Sequence, residues 1–119
     1  MKKKIFLFDL DNTLCTTKKN YYKNSKPIKK MIDRVNLLKN KGHIIKIFTS
    51  RYMGRNNENY KFVKKKYYKE TIEFLNKWEI EFDELILGKP SYDFFIDDKC
   101  FNVKEKKTLK IIDKFINTK

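Results

Sequence analysis

Apolar and polar positions along the chain switch between runs and helical spacing several times. Ile5 to Phe8 is a continuous apolar run closed by Asp9, the pattern of a strand buried on both faces of a parallel sheet. Leu14 to Lys26 is polar and rich in Asn, Lys and Tyr, which reads as a loop or small flap. Pro27 opens a helix in which Ile28, Met31, Ile32, Val35 and Leu38 recur at helical spacing, and Gly42 supplies its stop. A second strand, Ile44 to Phe48, ends at Thr49. Ser50 to Asn59, with Arg51, Gly54 and Arg55, reads as a loop, and a long helix starts near Tyr60 with Tyr68, Thr71, Ile72, Leu75 and Trp78 on one face. Leu85 to Leu87 predicts a short third strand ended by Gly88. Phe94 to Ile96 predicts a fourth, ending at Asp97 and Asp98, and Leu109, Ile112, Phe115 and Ile116 give a closing helix.

Strands alternating with helices imply right-handed crossovers, hence an α/β, three-layer Rossmann-like domain with a mainly parallel central sheet and helices on both faces. The chain has 119 residues and no internal repeat, so one domain over residues 1–119 is expected. Hydrophobic residues at 40% and aromatics at 15% suffice for a core and exclude a disordered basic tail. No apolar run approaches the roughly 20 residues of a membrane span, and the N-terminal run is too short for a signal peptide. A cytoplasmic protein with no membrane partner is expected. Cys15 and Cys100 lack CxxC spacing and paired His, so neither a zinc site nor a disulfide framework is indicated. His43, alone after Gly42, is read as a surface or structural residue.

Charge adds a competing possibility. Lys and Arg number 29 against 15 Asp and Glu, a formal net charge of +14, which raises nucleic acid as a partner. Only Arg34, Arg51 and Arg55 are arginines, whereas bidentate phosphate recognition favours Arg over Lys. Lys, Asn, Ile, Phe and Tyr supply 67 of the 119 residues, and Ala and Gln are absent, a bias expected of an AT-rich coding sequence. Nucleic acid is therefore the less favoured partner.

The candidate chemistry stands at the carboxyl end of each expected strand. Asp9-Leu10-Asp11-Asn12-Thr13 succeeds the first, Thr49-Ser50-Arg51 the second, Gly88-Lys89-Pro90 the third and Asp97-Asp98 the fourth. Ligands of open parallel sheets gather at these carboxyl ends. Several carboxylates, a Lys and a hydroxyl in one crevice repel unless a hard cation joins them, and oxygen-only ligands favour Mg²⁺. Singly, each motif also has a structural reading: an Asx turn for the first, a helix cap for Thr49 or the Asp pair, a solvated cation for Lys89. Those structural readings leave unexplained why all four motifs come directly after apolar runs, in this order.

These residues resemble the four motifs of the haloacid dehalogenase (HAD) superfamily of aspartyl-phosphate phosphatases. More narrowly, FDLDNTLC from Phe8, IFTSRYMGR from Ile47 and LGKPSYDFFIDDK from Leu87 are similar to small capless members associated with capsular or surface polysaccharide biosynthesis. Asn12 stands where many members carry Gly and should tolerate a left-handed backbone. The resemblance implies a HAD-like, capless fold, because the intervals after the first and second motifs leave no room for a cap. It implies Asp9 as nucleophile, Asp11 as general acid and base, and Thr49, with Ser50 and Arg51, as binders of the phosphoryl group beside Lys89. Mg²⁺ would be held by the Asp9 carboxylate, the Asp11 backbone carbonyl and Asp97, with Asp98 orienting a metal-bound water. Thr13 would fix the first turn. Candidates for contact with the rest of the substrate are Thr16, Lys18, Arg51, Arg55 and Tyr92. The implied substrate is a sugar phosphate or other small phosphorylated intermediate, with the flap or an oligomeric neighbour covering the open site. The alternatives are a polynucleotide end phosphatase and a non-catalytic phosphate-binding module.

Overall fold

A computed structural model describes residues 2–117. Three strands, β1 (Ile5–Phe8), β4 (Ile44–Thr49) and β5 (Glu84–Leu87), form a parallel sheet in the order β1-β4-β5. Ile5 pairs with Ile44 and Phe8 with Ile47, while Lys46 pairs with Glu84 and Thr49 with Leu87. A two-stranded antiparallel ribbon, β2 (Cys15–Thr16) and β3 (Lys26–Pro27), brackets the polar flap between them. The helices are α1 (Lys29–Asn40), α2 (Tyr60–Lys77) and α3 (Lys106–Asn117).

The connections β1-α1-β4 and β4-α2-β5 step the same way across the sheet, so right-handed crossovers set both helices on one face. Burial alternates accordingly. Phe8, Ile45, Ile47, Leu85 and Leu87 are buried on that face with Met31, Ile32, Val35 and Leu38 of α1 and Val63 and Leu75 of α2. Helix α3 joins the same side through Ile112 and Ile116, with the Phe115 ring edge-on to Phe6 at 5.5 Å. Arg34 of α1 donates to both carboxylate oxygens of Asp113 on α3, at 2.8 and 3.0 Å. His43 is structural, as expected: it is buried, and its Nδ1 accepts the Lys4 backbone N–H at 3.0 Å.

Four expectations need correction. A helical layer on the second face of the sheet is not formed among the described residues; Ile5 and Leu7 there are 62% and 56% exposed. Phe94 to Ile96 makes no strand, and Phe94 and Ile96 are 86% and 92% exposed. Pro27 closes the ribbon rather than opening α1: it is paired with Cys15 in extended backbone, and the helix begins two residues on, at Lys29. Tyr67, not Tyr68, packs on the core, where its ring stacks on Tyr52 at 3.7 Å. Gly42 does stop α1, at φ 93°, with the His43 N–H donating to the Leu38 carbonyl and the Gly42 N–H to Lys39.

Asp83 fixes the register at the start of β5. Its N–H donates to the Ile45 carbonyl at 2.8 Å, and its carboxylate accepts from the Ile45 N–H and from Lys39 Nζ, each at 2.7 Å. The Lys39 hydrogen bond first, and then the Ile45 N–H, hold this carboxyl below its ordinary value. A lowered carboxyl contributes stability that is present above the ordinary carboxylate range and lost as pH falls through the folded value. Solvent screens the Lys39 pair, so Asp83→Asn should cost no more than about 1 kcal/mol in denaturant unfolding at neutral pH. Its difference from wild type should close below about pH 4, and a deficit unchanged by pH would refute the assignment.

Candidate active site

Three parallel strands deliver their carboxyl ends to one rim, and the first is extended by a loop built around Leu10. Leu10 and Leu14 are fully buried, and the Leu10 carbonyl accepts the N–H groups of Thr13, Leu14 and Cys15 at 3.2, 2.9 and 3.3 Å. Burying Leu10 leaves the flanking carboxylates of Asp9 and Asp11 on the outer side of the turn. Asn12 has φ 61°, the left-handed conformation anticipated for it, and its side-chain oxygen accepts the Thr17 N–H at 3.1 Å. Thr13 is half-buried and contributes to the turn through its backbone N–H.

Asp9, Thr49 and Lys89 are brought together as expected. Lys89 Nζ stands 3.6 Å from Asp9 Oδ1, and the Lys89 N–H donates to the Thr49 carbonyl at 3.1 Å. Lys89 is buried among the rings of Phe48, Tyr92 and Phe95, and the Tyr92 hydroxyl lies 3.0 Å from its ammonium. This cradle fixes one positive charge beside one carboxylate. Burial pushes the Asp9 carboxyl above its ordinary value, against the opposing pull of Lys89 and of the Leu10 N–H; the Asp11 charge adds to the rise. Asp9 is thus a poorly solvated carboxylate held by a fixed cation, which suits an oxygen nucleophile. Thr49 is buried, and its hydroxyl oxygen accepts the Arg51 N–H at 3.1 Å, leaving the hydroxyl proton to donate elsewhere. Ser50 is half-buried on the same turn, its carbonyl accepting from the Met53 N–H.

Arg51 is placed differently from the substrate contact expected of it. It is 1% exposed, and its Nε and Nη2 grip the Asp11 carboxylate at 2.9 Å each. The guanidinium lies over the Tyr22 and Phe74 rings, 4.9 Å from each centroid. Burial would lower its pKa, but the hydrogen bond and charge of Asp11 hold it above the ordinary value. A guanidinium so enclosed has no face left for a phosphoryl group. Asp11 also accepts from the Thr17 hydroxyl at 2.5 Å and from Cys15 Sγ at 3.6 Å. Sequence reasoning passed over Thr17 and Ser25, whose hydroxyl accepts from Arg51 Nη2 at 3.0 Å, since nothing in their spacing distinguishes them from other flap residues, and considered Cys15 only for a zinc site or a disulfide. Thr16 and Lys18 are exposed on the flap, and Arg55 lies over the rings of Tyr22 and Tyr52 beside a cavity of about 200 Å³.

The expected metal ligands do not assemble. Asp97 and Asp98 are exposed and hydrogen-bonded to each other, which lowers the Asp97 carboxyl and raises that of Asp98. Among the described residues no three His, Cys, Asp or Glu side chains form a group able to hold a metal ion. As the residues stand, the donor set does not fit Mg²⁺, because the segment carrying Asp97 is not paired to the sheet. No helix among the described residues is long and apolar enough to cross a membrane.

No family model matches the chain, and no curated protein matches it. Among solved structures, the crystal structure of an MCSG target from Vibrio cholerae has a TM-score of 0.78 to this chain at 26% identity, over 97% of each chain. The α/β architecture with its parallel sheet is therefore one that the two chains share along nearly their whole length.

Gly88 sets the exit of β5 that delivers Lys89. It has φ 90°, and a Cβ there would sit 2.0 Å from Tyr60 Cδ1. Gly88→Ala should lose about 1–3 kcal/mol of stability through the strained backbone. A thermal melt coincident with wild type would show that this turn does not constrain Lys89.

Proposed function

We propose that the chain is a phosphomonoesterase of the HAD type acting through an aspartyl-phosphate, with a small phosphorylated compound as substrate. The observation that carries this reading is the Asp9–Lys89 pair on the rim with the Thr49 hydroxyl, at the carboxyl ends of three parallel strands. Asp9 attacks phosphorus in line, forming an O–P bond as the bond to the leaving oxygen breaks. Lys89 offsets the charge of carboxylate and phosphoryl group, and Thr49 donates to a phosphoryl oxygen. The departing oxygen needs a proton, and Asp11, which the sequence resemblance assigns to that step, must first leave the Arg51 fork that holds it as a carboxylate and take up a proton. Water then attacks phosphorus, passes a proton to Asp11, and releases inorganic phosphate as Asp9 is restored. A sugar phosphate of surface polysaccharide synthesis and a capless HAD-like fold belong to this reading through the sequence resemblance alone, as does Mg²⁺, which would need Asp97 brought to Asp9.

Asp9→Asn should abolish hydrolysis of 4-nitrophenyl phosphate, a loss of at least about 1000-fold, with the circular dichroism spectrum unchanged. Retention of most activity would remove Asp9 as nucleophile. Chelation followed by restoration of Mg²⁺ in the same assay separates the metal from the nucleophile: turnover that survives chelation withdraws the cation and leaves Asp9 in place.

One observation favours the second reading, a polynucleotide end phosphatase. Tyr60, Lys61, Lys64, Lys65 and Tyr68 of α2 line a groove of about 620 Å³ along β5, and Tyr60 touches Gly88 beside Lys89. Lysines that neutralise backbone phosphates release counterions, so affinity for single-stranded DNA should fall about 10-fold or more between 50 and 200 mM salt on this reading. Retention of no DNA at low salt would set it aside.

A further inference from the structure

Lys89 is enclosed by aromatic rings that take no part in phosphoryl transfer. Its ammonium lies 4.9 Å from the centroid of Tyr92, 5.3 Å from that of Phe95, and 3.6 Å from Asp9 Oδ1. The two rings are 5.6 Å apart and tilted by 48°. Each of these residues is nevertheless 48% exposed, so enclosing Lys89 uses only part of either surface and the rest stands open at the rim. The loop that carries them is tied down, because the Glu58 carboxylate accepts both the Ser91 N–H and the Ser91 hydroxyl at 2.9 Å. Lys89 Nζ donates to the Tyr92 hydroxyl oxygen at 3.0 Å, which leaves the hydroxyl proton to donate outward.

An aromatic surface with one hydroxyl donor at its edge matches a ring that offers a C–H or π face and an oxygen. We propose that Tyr92 and Phe95 bind the leaving group of the substrate, and that this leaving group carries a ring, a sugar or an aryl group, within a bond or two of the ester oxygen. The inference rests on the phosphatase reading, which puts phosphorus beside Asp9 and Lys89. With phosphorus there, the open surfaces of Tyr92 and Phe95 are what the first ring beyond the ester oxygen meets. Phe95 supplies a face, and Tyr92 supplies a face and a donor. An acyclic leaving group covers little of either and gains little from them. Both rings stand on the loop that follows Lys89, so one turn fixes the cation that clamps the phosphoryl group and the surface that selects what departs.

Three esters separate this role from the enclosure of Lys89 alone: glucose 6-phosphate, phenyl phosphate and the acyclic 2-glycerophosphate. Phe95→Ala should raise KM for the preferred ring-bearing ester by about tenfold relative to 2-glycerophosphate, whereas a loosened Lys89 lowers kcat for all three alike. Tyr92→Phe keeps the ring and removes the donor. A rise in KM of about fivefold for glucose 6-phosphate in that variant identifies the ring as a sugar; an unchanged KM, with phenyl phosphate weakened by Phe95→Ala, identifies an aryl group. Phe95→Leu carries the test if Phe95→Ala fails to give a cooperative melt. Equal changes on all three esters, or a wild-type protein that favours 2-glycerophosphate, would overturn the assignment while leaving the phosphatase in place. If the wild-type protein hydrolyses none of the three, nor 4-nitrophenyl phosphate, the phosphatase reading fails and the inference falls with it.

Discussion

Parallel pairing of β1, β4 and β5 over a single buried face is the constraint on which the rest of the molecule depends. Parallel strands all leave the sheet at the same edge, so the loops after Phe8, Thr49 and Leu87 must share one rim. The register then decides which residues meet. Thr49 is opposite Leu87, two residues before Lys89, and Phe8 is opposite Ile47, so Asp9, Thr49 and Lys89 arrive at one level. A one-residue slip of β4 would send Ile45, Ile47 and Thr49 to the exposed face. Asp83 opposes that slip at the opposite end of the sheet, through its paired hydrogen bonds with Ile45.

The rim separates two electrostatic environments only a few residues apart in sequence. Asp9 faces Lys89, a single ammonium that leaves part of its carboxylate open to the crevice. Asp11 faces Arg51 and Thr17, and its oxygens are occupied by several donors. Two carboxylates on one turn thereby acquire different freedoms: one is left partly open to the crevice, the other is fixed by its donors. Their separation comes from Leu10, whose burial between them turns the backbone and whose carbonyl gathers the N–H groups of the next turn. Most of the lysines lie elsewhere. The large positive balance lies chiefly on exposed surfaces, while the buried cations of the rim, Arg51 and Lys89, each meet a carboxylate.

Asp9, Thr49 and Lys89 were legible in the sequence because each stands at or just beyond the end of an apolar run, and a parallel sheet converts that one-dimensional position into a shared edge. Asn12 was legible because its left-handed turn is a backbone property of the residue type. Arg51 was legible as belonging to the site but not in its role, since spacing fixes where a side chain starts and not where a long one ends. Thr17 and Ser25 carried no signal at all. Their contribution exists only after the flap folds back on itself through the pairing of Cys15 with Pro27, an event with two-residue strands and no hydrophobic periodicity to announce it.

Two of the remaining departures share one physical origin. Phe94 to Ile96 has the composition of a strand, yet three apolar residues do not make one without an edge to pair with, and they stand apart from the sheet. Because β4 occupies one side of β1, the only neighbour position left to β1 is its other edge. A parallel strand there would follow Phe8 with Asp9 on one chain segment and Ile96 with Asp97 on the other, setting the two carboxylates side by side. The unpaired Phe94–Ile96 run and the unassembled carboxylate group are therefore not independent departures: both go with the lack of a ladder of hydrogen bonds between this run and β1. Neither bears on the geometry that Asp9, Thr49, Lys89, Asp11 and Arg51 already hold.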